Sequence, residues 1–121
     1  MKTGTININE NEVSIRTIND TVWLSEREIA GLFDVFVSKV SCNIRAILKS
    51  DTLKESNVCR HHHCSNGAVI ELYSLEMIIA LSFRIHSYKT EQFRQWLLRR
   101  ATATDQTNII WKIPAFNALL N

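Results

Sequence analysis

Ser25-Glu26-Arg27-Glu28-Ile29-Ala30-Gly31-Leu32-Phe33-Asp34-Val35-Phe36-Val37-Ser38-Lys39-Val40 is the stretch whose reading decides the fold. Ser25 is a good helix N-cap, and Glu28 stands three residues on, where its carboxylate can return to the cap backbone. Leu24 before the cap and Ile29 at the fourth helical position form a hydrophobic staple. Ile29, Leu32 and Phe33 make an apolar stripe, and Ala30 is small enough to let another helix cross closely. The helix is predicted to stop at Phe33-Asp34, with Asp34 taking a left-handed turn conformation. A second helix follows from about Val37 to Lys49, with Val40, Ile44, Ile47 and Leu48 at helical spacing. Two short helices joined by a turn at 34–36 have the spacing of a helix-turn-helix.

Downstream, Val58–Cys64 reads as a strand and Val69–Tyr73 as its return. Ser65-Asn66-Gly67 supplies the turn, since Asn-Gly favours the positive dihedrals of a two-residue hairpin. Val69, Glu71 and Tyr73 alternate with Ile70 and Leu72, a weak pattern that suits a small two-stranded wing. Ser74 caps a third helix, whose buried side is predicted to be Leu75, Ile78, Ile79, Ser82, Phe83 and His86. A fourth helix starts near Thr90, with Phe93, Trp96, Leu97 and Arg100 on one stripe and Glu91, Arg94, Gln95 and Arg99 on the wet side. Upstream, Ile6 and Ile8, then Val13, Ile15 and Ile18, alternate with polar residues around Asn9-Glu10-Asn11, a β-hairpin pattern. Asn19-Asp20 marks a second turn and Thr21–Leu24 a further extended segment. The fold class is therefore α+β: a winged helix-turn-helix-like domain with an N-terminal β-hairpin and two C-terminal helices.

The 121 residues fit one domain, 1–121, and the 45% apolar content supplies one core. A net charge of +2 says little about partners, because a DNA binder needs a basic face and not a basic total. No apolar run reaches the ~20 residues of a membrane span, and Met1–Ile8 does not read as a signal peptide. Three Cys at positions 42, 59 and 64 are too few and too irregular for a disulfide framework, which points to a reducing cytoplasm.

In a helix-turn-helix, the first helix braces the second, whose exposed side chains enter the major groove. The exposed set here is Ser38, Lys39, Ser41, Cys42, Asn43 and Arg45. Lys and Arg can bond guanine edges, Asn can bond adenine, and Ser can hold phosphate. Arg60 on the wing is a further phosphate contact. The plainer alternative is a helical pair that only builds the core, or a protein-interaction module that keeps the shape. The run Cys59-Arg60-His61-His62-His63-Cys64 offers metal-ligand types, with Cys59, His61 and His63 on one face of a strand. Three ligands spread along one straight strand do not converge on one ion, so no metal is assigned. A Cys–His catalytic pair is conceivable, yet the sequence has no nucleophile elbow, Gly-rich phosphate loop or HExxH pair, and no cofactor or enzymatic role is assigned. Arg84, Lys89, Arg94, Arg99 and Arg100 suggest a loose basic patch, and Trp23, Trp96 and Trp111 read as core or interface residues.

Thr21-Val22-Trp23-Leu24-Ser25 with Ile29-Ala30-Gly31-Leu32-Phe33 resembles the N-terminal domain of the RhuM family of bacterial virulence proteins. The same resemblance runs through Ser56-Asn57-Val58-Cys59-Arg60, Tyr73-Ser74-Leu75-Glu76-Met77-Ile78-Ile79, Phe83-Arg84-Ile85-His86-Ser87 and Gln92-Phe93-Arg94-Gln95-Trp96, covering residues 12–100. These motifs are also similar to phage antirepressor and Bro-type N-terminal domains. The resemblance implies double-stranded DNA as partner, a role in mobile-element or phage-derived transcription regulation, and no catalytic residue. The chain departs from the pattern at Asp34 in the turn, at His62, His63 and Cys64 in the wing, and after Ala101. The divergent tail, 101–121, carries Ile109, Ile110, Trp111, Ile113, Ala115, Phe116, Leu119 and Leu120, interrupted by Pro114. So much late apolar surface implies a homodimer in which the tail contributes to the contact; the plainer alternative is a tail that folds back over the chain's own helices and completes the core.

Overall fold

A computed structural model of the chain describes residues 3–10 and 12–103. In it the Ser25 hydroxyl accepts from the Glu28 amide at 3.2 Å, and the Glu28 carboxylate accepts from the Ser25 amide at 3.0 Å. That reciprocal cap starts α1 (Glu26–Phe33), which is followed by α2 (Val37–Lys49). Before them come β1 (Thr5–Ile8), β2 (Val13–Arg16) and β3 (Trp23–Leu24). After them come α3 (Glu55–Val58), β4 (Cys59–His63), β5 (Val69–Ser74), α4 (Leu75–Arg84) and α5 (Tyr88–Thr102).

The turn between α1 and α2 closes as its residues demand. Asp34 adopts φ 56° and ψ 51°, the left-handed region. The Val35 amide reaches back to the Ala30 carbonyl at 3.0 Å and the Asp34 amide to Gly31 at 3.4 Å. These two bonds satisfy carbonyls that the helix end would otherwise leave without partners. Asp tolerates this conformation better than most non-glycine residues.

β1 and β2 pair antiparallel, with Ile6 opposite Ile15 and Ile8 opposite Val13, so the hairpin read from alternation is present. Ile6 and Ile8 turn into the core. The turn at Asn19-Asp20 is also present, both residues at positive φ between the bridged Ile18 and Thr21. The wing differs from the two-stranded expectation. β3 joins it, giving a three-stranded antiparallel sheet in the order β3-β5-β4. Trp23 pairs with Ser74 and Leu24 with Tyr73, a match across some fifty positions of chain that local pattern does not reveal.

The wing turn is also different in kind. Gly67 has φ 88°, but its amide bonds the Cys64 carbonyl at 3.1 Å while the Cys64 amide bonds Ala68 at 2.8 Å. This is a three-residue loop with glycine in the left-handed bulge position, not the two-residue turn expected from Asn-Gly. Residues 55–58, expected as loop running into strand, form the short α3 instead, with Val58 buried.

α4 lies at the centre of the molecule. Leu75, Met77, Ile78, Ile79, Ala80, Leu81 and Ser82 are all buried, so the helix has no single wet face. It packs against α2, α3, α5 and β5. Of the residues assigned to its buried side, Phe83 is half-buried and packs against the core, whereas His86 is exposed, because the helix ends at Arg84 and Ile85 takes the inner place. α5 begins at Tyr88, not near Thr90, because Ser87 is its cap: the Ser87 hydroxyl accepts from the Thr90 amide at 3.1 Å. The Ser87 hydroxyl also donates to the Phe33 carbonyl at 2.7 Å, which ties the start of α5 to the end of α1. Phe33 and Phe93 meet in the core with ring centroids 5.9 Å apart. The tail from residue 104, and with it the apolar cluster that includes Trp111 and Phe116, lies outside the described residues.

Candidate nucleic-acid interface

On a helix with 3.6 residues per turn, Val40, Ile44 and Ile47 share one side of α2, and all are buried. The opposite side carries Ser38, Cys42, Arg45 and Lys49, with Lys39 on its flank, and all five are exposed. α2 bears no Asp or Glu. Its outward surface is therefore cationic, with small polar groups between the charges.

Two of the expected contact residues are engaged inside the protein. The Ser41 hydroxyl donates to the Glu26 carboxylate at 2.9 Å, a bond that joins α2 to the first turn of α1. Asn43 donates its amide to the Lys39 carbonyl at 2.8 Å, and its amide oxygen accepts from Arg84 Nε at 3.2 Å. Both side chains are half-buried. They position the helix, so the outward set reduces to Ser38, Lys39, Cys42 and Arg45, with Lys49 beside them. Arg84 was missed as part of this face by sequence reasoning. Its helix lies 41 positions away from Asn43, and only the packing of α4 on α2 brings the guanidinium there.

Arg60 is exposed on β4, and its guanidinium lies over the Trp23 ring at 4.9 Å from the centroid. Trp23 is half-buried, neither core nor free surface, and serves as the platform for that cation. The register places Arg60 opposite Leu72, so this face of the wing is Trp23, Arg60, His62 and Leu72.

The other face carries a polar row. Cys59 is opposite Tyr73 and His61 is opposite Glu71. Tyr73 donates its phenol to the Glu71 carboxylate at 2.8 Å, and His61 Nε2 is 3.6 Å from the same carboxylate. Burial, then the negative charges of Glu71 and Glu55, push the Cys59 thiol above its ordinary range. Burial and the hydrogen bond to Glu71 likewise push the Tyr73 phenol upward. A nucleophilic or metal-binding cysteine needs the opposite environment, one that favours thiolate. Among the described residues, no group of three or more His, Cys, Asp or Glu is placed to hold a metal ion.

The basic patch suggested for the C-terminal half is dispersed. Arg84 joins α2, and Lys89 donates to the Ile8 carbonyl at 2.8 Å. Arg100 lies 5.1 Å from the Trp96 centroid, and Arg99 lines a groove with Glu10, Glu12 and Glu91. Arg94, placed on the wet side by its helical phase, is half-buried and donates to the Ser82 and Ile85 carbonyls. No helix among the described residues is long and apolar enough to cross a membrane. Comparison with protein-family models, curated proteins and solved structures found no match.

Proposed function

We propose that this chain binds double-stranded DNA through the outer face of α2, acting as a cytoplasmic regulator of the RhuM and phage-antirepressor kind. The observation that carries the reading is the acid-free face of α2, where Lys39, Arg45 and Lys49 point outward and Arg84 adds a fourth cation from α4. α1 braces that helix through Glu26, and on the wing Arg60 is held over Trp23. Phosphate neutralisation by such cations releases counterions, so affinity falls steeply as salt rises. In a retention assay with random-sequence duplexes at two salt concentrations, the parent is expected to lose binding sharply at the higher one. Changing Lys39 and Arg45 together to Ala should weaken binding across all sequences and lower the salt slope by about 2, roughly one for each phosphate contact removed. Unchanged retention by the double variant would move the site off α2 and favour a protein-interaction module with this shape.

The reading extends to a homodimer, since helix-turn-helix proteins use two-fold symmetry to span two half-sites. Sedimentation at micromolar concentration is expected to give the dimer mass, and removal of residues 108–121 the monomer. A monomer with the tail intact would refute the assembly.

A further inference from the structure

We infer that Phe36 reads thymine, packing its ring on the 5-methyl group in the major groove; this rests on the proposal that α2 faces duplex DNA. Phe36 is 84% exposed, the most exposed of the large apolar side chains described. It occupies the N-cap of α2 in extended conformation and makes no side-chain cap bond. That position favours Ser, Thr, Asp or Asn, whose oxygens satisfy the first helical amides. A phenyl ring does nothing for the cap, and at this exposure it does nothing for the core. Neither local structure nor packing accounts for it.

Its place in the fold accounts for it. The first residues of the second helix of a helix-turn-helix are those that reach base edges. Side chains on a helix lean toward its N-terminus, so Ser38 and Lys39 lean toward Phe36. Val37, next along the chain, is 38% exposed and extends the apolar surface. Asp34, Val35, Phe36 and Lys39 line one shallow depression. The Asp34 carboxylate repels phosphate, so the depression suits a base edge and not the backbone. Lys39, with Arg45 and Lys49 on the same helix, supplies the charge that holds the surrounding phosphates. Among the features a base pair shows in the major groove, the apolar one is the thymine methyl. The occupant of this apolar spot is therefore a thymine-bearing duplex.

The test uses the full chain and a pool of duplexes enriched on it from random sequence. The pool is remade with either thymine or deoxyuridine, which differ by the methyl group. The parent is expected to bind the deoxyuridine pool about fourfold more weakly for each methyl lost, the transfer value of one such group. Phe36→Ser should bind the thymine pool more weakly and treat the two pools alike, while Phe36→Leu restores part of the preference. Because the ring lies outside the core, Phe36→Leu should keep the parent's thermal midpoint, while Phe36→Ser, which gains a capping oxygen, should melt no lower than the parent, so weaker binding by either is not a loss of fold. A parent that binds both pools equally overturns the inference and leaves the DNA reading standing. A preference that persists in Phe36→Ser also overturns it, since the methyl is then read elsewhere. A parent that retains no duplex at low salt ends both the inference and the reading beneath it.

Discussion

Phe93→Ala is expected to destabilise the protein by about 3–5 kcal/mol, the usual loss for emptying a buried phenyl site. Phe93 has no exposed surface. Its ring lies 5.9 Å from Phe33, tilted by 54°, and 5.9 Å from Trp96, stacked at 21°. The Phe33 contact joins α5 to α1, the Trp96 contact lies within α5, and Leu97 lies buried one helical turn further along. Truncation removes both ring contacts and leaves a cavity among the buried side chains of α1 and α5. A domain of this size has roughly 5–15 kcal/mol of stability in all. At about 4–8 °C per kcal/mol, the thermal midpoint should fall by at least roughly 12 °C. Circular dichroism through the transition measures this directly. A loss under about 1 kcal/mol would show that the ring is not a centre of packing. α1 braces α2, so, on the proposed DNA reading, duplex retention should disappear over the same temperature range as the helical signal.

Arg94→Met is expected to cost about 2–3 kcal/mol, although its helical phase suggests a harmless surface change. The guanidinium donates to the carbonyls of Ser82 and Ile85, the latter at 3.3 Å, where α4 ends. Ser82 is fully buried. Carbonyls at a helix C-terminus lack intrahelical partners and carry the negative end of the helix dipole, so a cation there serves both needs. Met keeps the aliphatic volume but donates nothing, and buried acceptors left without a donor account for the penalty. Chemical denaturation is the measurement. An Arg94→Met protein within about 0.5 kcal/mol of the parent would rule out the bonds as a support, whereas Arg94→Lys should recover part of the loss. The effect should reach the face proposed to meet DNA. Arg84 leaves the last turn of α4 to hold Asn43 on α2, so amide exchange at the end of α4 and in α2 should rise together.

The legible parts of the fold are those written within a few residues. Ser25 and Glu28 answer each other across one turn of helix, and Asp34 takes a conformation that its short polar side chain tolerates. The β1–β2 alternation and the positions of α1 and α2 follow from periods of two and of 3.6. Structure departs from sequence expectation where the same local signal permits two outcomes. Asn66-Gly67 serves a two-residue turn or a three-residue loop, and which one forms depends on the register that β5 adopts between two neighbours. Ser87 and Thr90 make a cap that starts α5 at Tyr88, two residues before the start read from the apolar stripe. α4 shows a stripe in sequence but buries every residue except Glu76, Phe83 and Arg84, because β5, α3, α2 and α5 all pack on it.

The site divides along the same line. The sequence by itself determined which helix carries the cations, that no acid accompanies them on it, and that Val40, Ile44 and Ile47 turn them outward. Those properties depend on helical geometry and side-chain chemistry alone. Only the tertiary structure decided which polar groups remain for a partner. It engaged Ser41 with Glu26 and Asn43 with Arg84, brought Arg84 to the face, laid Arg60 over Trp23 and drew Arg94 inward. Each of these outcomes pairs groups on different elements. A hydrogen bond or ion–ring contact acts over a few ångströms, and residues far apart in the chain reach that range only after the helices and the three-stranded sheet have packed.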